Sequence, residues 1–267
     1  MLGHYERSGR SFPWRETRDP WAILVSEVML QQTGTERVRP KYDAWMAAYP
    51  EPAALAGAKL AEVLSLWSGL GYNRRALALV RAAAALAARE DFPRDEASLL
   101  ALPGVGPYTA RAVLAFAYDV PVVLIETNIR AVFLDRFFPG LSGVPDSRIL
   151  PLIDATLVRE DPRTWYYALM DLGAAIKKEA GNPNARSAHY AKQAPFADSH
   201  RRIRGAALRE LTRAGTASGD ELAARLPFAR ERVDEALREL VAEGFLEYRG
   251  EGFSIGDSGA LREEPGE

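Results

Sequence analysis

Residues 102–128, Leu-Pro-Gly-Val-Gly-Pro-Tyr-Thr-Ala-Arg-Ala-Val-Leu-Ala-Phe-Ala-Tyr-Asp-Val-Pro-Val-Val-Leu-Ile-Glu-Thr-Asn, read as a device that grips an anion and then presents a carboxylate. Gly104 and Gly106 permit a tight hairpin whose backbone dihedrals a side chain would oppose. Pro107 suits the first turn of the following helix, where its missing N–H is not needed. The amides of the hairpin and helix start (Gly104, Val105, Gly106, Tyr108 and Thr109) are then available to a phosphate. That helix should run to about Tyr118, and after Pro121 an apolar run ends at Glu126.

The chain has 267 residues, enough for one large domain or two modest ones, and 48% of them are hydrophobic. Its net charge of −2 excludes a polycation, so any nucleic-acid surface must be local. There is no cysteine, which excludes disulfides and thiolate metal sites. The N-terminus is polar and no apolar run is long enough to span a bilayer, so the expectation is a soluble, cytoplasmic protein, taken as a monomer, with no membrane partner.

Residues 1–19 read as irregular, with Phe12-Pro13-Trp14-Arg15 the distinctive piece. A helix over Pro20–Gln32 is apolar on nearly every side and should be buried. Glu27 lies in its middle with no cation three or four positions away. An unpaired buried carboxylate costs several kcal/mol or stays protonated, which points to function; a distant arginine partner is the alternative. Further helices are expected at about 36–48, 59–67, 74–90, 95–101, 107–118, 127–137, 147–159 and 164–178, with Thr164 as a cap and Gly181 as a stop. No strand is expected before residue 245. Residues 179–200 read as an irregular loop, and Lys177–Arg213 holds nine Lys or Arg against three acids, either a solvated linker or a phosphate-contacting face.

From Arg201 the pattern changes: helices at about 201–213, 218–225 and 229–243 precede a hairpin at 245–255. This suggests a winged-helix-like module. Its third helix carries Arg230, Arg232 and Arg238 against five acids, so a packing or protein-partner role is favoured over groove reading. The tail, 257–267, is expected to be disordered.

Three separated motifs, Ser26-Glu27-Val28-Met29-Leu30-Gln31-Gln32-Thr33, Gly69-Leu70-Gly71-Tyr72 and the hairpin Leu-Pro-Gly-Val-Gly-x-Tyr-Thr-Ala, together resemble those of the helix-hairpin-helix DNA glycosylases, MutY-type adenine glycosylases above all. The resemblance implies an all-α, two-lobed fold at 1–200, with a six-helix lobe at about 21–122 and a second lobe from 1–20 plus 123–200. The α+β winged-helix-like module would follow at 201–256. It implies Glu27 and Glu126 facing a DNA cleft, with Arg10, Trp14 and Arg15 lining a base pocket and Gln31, Gln32 and Tyr72 wedging into opened duplex. The partner would be double-stranded DNA containing a mispaired or damaged base.

Three departures bear on that expectation. The family's catalytic aspartate is matched by Ile125-Glu126-Thr127-Asn128, one methylene longer, and Arg130 at i+4 could hold Glu126 as a structural bridge. The spacing of the family's four cluster cysteines lands on Lys177, Asn184, Ser187 and Gln193, so no cofactor is expected. No counterpart is expected of the domain with which the family senses 8-oxoguanine, a shorter winged-helix-like module standing in its place.

Removing a base is glycoside hydrolysis, in which two carboxyl groups divide the labour around an oxocarbenium-like transition state. Glu27 would be the general acid, and Glu126 would stay ionised to stabilise the sugar cation electrostatically or as an adduct. Tyr108 stands where bifunctional relatives carry a lysine, and a phenol cannot form a Schiff base, so a monofunctional enzyme is expected. Tyr108 as a core aromatic is compatible with that outcome. Thymine or uracil opposite guanine, or a modified base, remains the nearest alternative substrate. A non-catalytic DNA-binding or regulatory protein is the alternative of another class.

Overall fold

The computed structural model describes residues 2–191, 199–250 and 252–257. The described chain is mainly helical: α1 Leu2–Ser8, α2 Pro13–Glu16, α3 Pro20–Leu30, α4 Thr35–Ala48, α5 Pro52–Ala56, α6 Leu60–Trp67, α7 Arg74–Ala87 and α8 Glu96–Leu100. Then come α9 Pro107–Tyr118, α10 Thr127–Phe137, α11 Asp146–Thr156, α12 Pro162–Glu179, α13 His200–Ala214, α14 Gly219–Arg225 and α15 Arg230–Ala242. Three short strands, β1 Thr216–Ala217, β2 Leu246–Arg249 and β3 Gly252–Ile255, form one antiparallel sheet in the order β1-β3-β2. Among the described residues no helix is long and apolar enough to cross a membrane. The tail from 258 and Gln193 lie outside the described residues.

The chain divides into two compact units: Met1–Glu27, Pro93–Ala101 and Val105–Gln193 form one, and Val28–Phe92, Leu102–Gly104 and Ala194–Glu267 form the other. These boundaries differ from the lobes expected at 20/21, 122/123 and 200/201.

In the first unit α10 packs along α12, and the approach is backbone on backbone. A Cβ at Gly173 would stand 2.1 Å from the Asn128 carbonyl oxygen, so only glycine fits. Tyr166 ties down the extended segment that leads to Glu126: its hydroxyl donates to the Val122 carbonyl at 2.8 Å and accepts the Leu124 amide at 3.1 Å. Arg163, buried on α12, donates to the carbonyls of Arg15 (2.9 Å) and Thr17 (2.6 Å), fixing the N-terminal arm.

In the second unit the C-terminal module shares its core with the preceding helices. Ile203, Leu208, Leu211, Val233, Leu237 and Phe245 lie in one buried cluster with Leu60, Leu64 and Leu77. Arg74 of α7 also pairs with Glu243 at 2.5 Å, and Arg204 joins the same carboxylate at 2.6 Å. The apolar faces of α6 and α7 need this cover, which is why the module does not divide off at 201.

Several local expectations are corrected. The segment 1–19 contains α1 and α2, α5 is an added short helix, and β1 is a strand before residue 245. The cap of α12 is Asp161, whose carboxylate accepts the Thr164 amide at 3.1 Å; Pro162 at the first helical position moves the start three residues earlier than Thr164 as cap would imply.

Candidate active site

The first unit gathers the chemistry. Glu27 sits on the last turns of α3, a helix whose Trp21, Ile23, Leu24 and Val28 are all buried, and is itself 6% exposed. Its Oε2 accepts the Tyr108 hydroxyl at 2.9 Å. Burial pushes the carboxyl up to about 7; the Tyr108 hydrogen bond works against that, the charge of Glu126 adds to it, and Arg15 opposes it. Among the described residues no arginine or lysine forms an ion pair with Glu27, which does not support the alternative of a direct cationic partner. Burial, with the charges of Glu27 and Glu126, raises the Tyr108 phenol well above its ordinary value, which keeps it a neutral donor.

Glu126 is the N-cap of α10. Its Oε1 accepts the amides of Asn128 (2.7 Å) and Ile129 (2.8 Å), and its Oε2 accepts Asn128 Nδ2 (3.1 Å) and Thr127 Oγ1 (3.0 Å). A carboxylate offers about four lone-pair sites, so these four donors saturate it. Its effect on both Glu27 and Tyr108 places the three groups within electrostatic reach of one another. Arg130 is not its partner: that guanidinium forms a two-pronged bridge to Asp146, with both contacts at 2.7 Å. The i+4 spacing misled because a carboxylate folded back onto its own helix amides cannot reach along the helix as well.

Arg10 and Arg15 converge on Asp171. Arg10 donates to it through its amide (2.7 Å) and Nε (2.8 Å), and Arg15 through Nη2 (2.9 Å). Burial works to raise Asp171, but these hydrogen bonds win and hold it below the ordinary carboxylate value. Arg15 also lies over the Tyr167 ring at 4.5 Å. Trp14 is 4% exposed and stacks on Phe12 at 5.0 Å. Asp171 is the organiser that sequence reasoning missed. Lys177, singled out only by spacing, is half-buried; burial lowers its ammonium, the Glu126 charge opposes this, and Arg10 reinforces it. It therefore stands beside the same site.

The hairpin behaves as its glycines predict. Gly104 has φ +76, and a Cβ there would meet the Ala78 methyl at 2.5 Å. Gly106 is the N-cap of α9 and offers no side chain, so no side-chain cap covers the first amides of α9. Val105 and Thr109 are buried side chains, which leaves them backbone rather than side-chain contacts for a phosphate.

Gln31, Gln32 and Tyr72 belong to the second unit. Gln32 and Tyr72 both hold left-handed backbone, φ +54 and +48. Arg75 pins the two loops that carry them: it donates to the carbonyls of Val28 (2.9 Å), Met29 (3.1 Å), Leu70 (3.1 Å) and Gly71 (3.0 Å), to that of Gln31, and to Thr33 Oγ1 (3.2 Å). Burial brings this guanidinium down to about 10. Both Arg75 (5.4 Å) and Arg201 (4.8 Å) lie over the Tyr72 ring, and Arg201 donates to its hydroxyl. A lysine at 75 has three donors in place of five and no planar fork, so Arg75→Lys is expected to destabilise the protein by about 2–3 kcal/mol in urea denaturation. An unchanged midpoint would remove Arg75 as the fastener of these loops.

The loop after α12 does not fit a thiolate-held cluster. Asn184 is buried and donates to the Thr127 carbonyl at 2.9 Å, beside Glu126. Ser187 is buried and bridges Val144, and Arg186 donates to the Leu134 carbonyl at 3.0 Å. Among the described residues no group of three His, Cys, Asp or Glu could hold a metal ion.

Residues 25–205 match the HhH-GPD superfamily base excision DNA repair proteins. An adenine DNA glycosylase of Mycolicibacterium smegmatis is 36% identical over 286 residues, covering 97% of this chain and 96% of that protein. One from Mycobacterium tuberculosis is 42% identical over 185 residues, and the match spans 66% of this chain but 60% of that relative's length. Among solved structures, a thermostable thymine-DNA glycosylase is 26% identical with a TM-score of 0.57, covering 65% of this chain and 82% of that one. An endonuclease III–DNA complex, 20% identical with a TM-score of 0.50 over 74% of this chain and 86% of that one, shares the fold. With a family match over two-thirds of its length and a relative 36% identical along nearly all of it, the chain belongs to the HhH-GPD superfamily of base excision DNA repair proteins.

Proposed function

We propose that this protein is a monofunctional DNA glycosylase that hydrolyses the N-glycosidic bond of a flipped-out adenine in a mismatch. The observation that carries this reading is Glu27, a buried carboxyl raised to about 7 beside Tyr108 and in the field of Glu126. Near neutral pH such a group holds a proton to give and has lost little basicity for the water that follows. It protonates the leaving purine, at N7 by analogy with the adenine glycosylases, as the bond to the sugar lengthens. Glu126 supplies negative charge opposite the developing oxocarbenium. Saturation by four donors makes it a poor nucleophile, which favours electrostatic stabilisation over an adduct. A regulator with no catalysis could discard the cost of burying Glu27, and this chain keeps it.

The likeness to a thymine-DNA glycosylase supports a second reading, thymine opposite guanine. Both readings are separated by a panel of duplexes, each with one odd pair, scored for alkali-labile sites. Adenine opposite guanine or 8-oxoguanine is expected to be released, and release of thymine alone overturns the adenine reading. Strand cleavage without alkali is expected to be absent, since Tyr108 offers no amine. A borohydride-trapped adduct lost in Lys177→Met would overturn the monofunctional reading and assign the lyase step to Lys177.

A further inference from the structure

On the C-terminal module, Arg202, Ala206, Arg209 and Arg213 form one stripe of α13, and with Leu226, Pro227 and Phe228 they line a groove of about 320 Å³. The three arginines are exposed. Arg202 lies over the Phe228 ring at 5.4 Å, which braces the rim. Glu210, the acid in the groove, is already paired with Arg213 (2.9 Å) and Arg225 (3.3 Å). The other arginines of α13 point elsewhere: Arg201 to Tyr72, and Arg204 to Glu239 and Glu243.

The helix that a winged-helix module commonly offers to DNA is the wrong sign here. On α15, Arg230 is paired with Asp220 and Asp234, Arg238 donates to the Asp234 carbonyl, and Glu231 and Glu235 face outward. We infer that this module meets DNA through α13: Arg202 and Arg209, together with Arg213, which is shared with Glu210 at 2.9 Å, hold the phosphate backbone of a duplex. This deepens the proposed function and rests on it. The stripe runs about 16 Å along the helix, a length over which one strand presents several phosphates. A guanidinium fork matches phosphate oxygens, and such contacts set register without reading sequence. The polyanion is favoured over an acidic peptide because the three charges lie in one straight row along the helix, as an extended strand requires.

The test uses the full chain and a duplex without a target base, with binding followed by fluorescence anisotropy from about 50 to 200 mM salt. The triple variant Arg202→Ala, Arg209→Ala, Arg213→Ala is expected to bind at least about tenfold more weakly, and the slope of log K against log salt is expected to fall by about 2–3. Arg209→Glu alone, at an exposed position in no ion pair among the described residues, is expected to weaken binding in the same direction and guards against misfolding of the triple variant. Arg230→Ala, Arg238→Ala on α15 should leave the slope unchanged. Single-turnover excision at saturating enzyme should be unaltered in all of them. If wild type binds DNA and both α13 variants bind with its affinity and slope, the inference falls while the proposed function stands, and the stripe is then a protein-docking surface. If wild type shows no binding to any duplex, both fall together.

Discussion

Glu27→Gln is expected to reduce base excision by about 10³-fold or more and, above neutral pH, to make the protein more stable than wild type. The activity loss follows from removing the proton that the leaving base must take. The stability gain follows from the environment. Burial, partly offset by the Tyr108 hydrogen bond, raises Glu27 from its ordinary 4.5 to about 7. A carboxyl raised on folding contributes its stability fully below its unfolded value, and that contribution is lost as pH rises through its folded value. Between about pH 4.5 and 7 the wild type should therefore forfeit up to about 3 kcal/mol that glutamine, uncharged throughout and still able to accept from Tyr108, does not. Urea midpoints for the two proteins should converge near pH 4.5 and diverge by pH 8. The same ionisation gives the wild-type rate a falling limb near pH 7, because the acid form does the work. A glutamine variant that excises at wild-type rate, or one no more stable at pH 8, would remove Glu27 from the centre of the chemistry.

Glu126→Gln should lower the excision rate by about 10²–10³-fold through loss of the charge opposite the sugar cation. It should also destabilise the start of α10 by about 1 kcal/mol, because a carboxamide turns an NH₂ toward Thr127 Oγ1 and Asn128 Nδ2, where a carboxylate oxygen now accepts. A second readout separates this from a merely structural role. The Glu126 charge contributes to raising Glu27, so its removal should move the falling limb of the pH–rate profile to lower pH. Glu126→Asp keeps the charge and a good capping residue, and should keep that limb in place while restoring most of the rate. If the glutamine variant loses rate without moving the limb, and the aspartate variant is no better, the residue is only a helix cap.

Much of this site could be read from the chain because its local chemistry is periodic. An all-apolar helix with one acid in it, two glycines before a proline, and a carboxylate ahead of a helix each announce themselves within a few residues. What could not be read depends on partners far along the chain. Asp171 draws in Arg10 and Arg15 from about 160 residues away, and Arg75 gathers carbonyls from the ends of two other segments. Arg130 looked like a partner of Glu126 at i+4, yet Asp146 held it. Trp14 matched a pocket motif, and only the fold shows it pressed against Phe12. The short helices α1, α2 and α5 are too brief to carry a periodic pattern.

The fastening of the loop after α12 has a consequence for how the protein comes into being. Where Asn184 grips the start of α10 next to Glu126 and Arg186 grips the end of the same helix, every tie is an ordinary amide or guanidinium contact present as soon as the chain folds. With no cysteine anywhere in its 267 residues, the molecule offers oxidants no thiol to attack and has no thiolate with which to hold an iron–sulfur cluster.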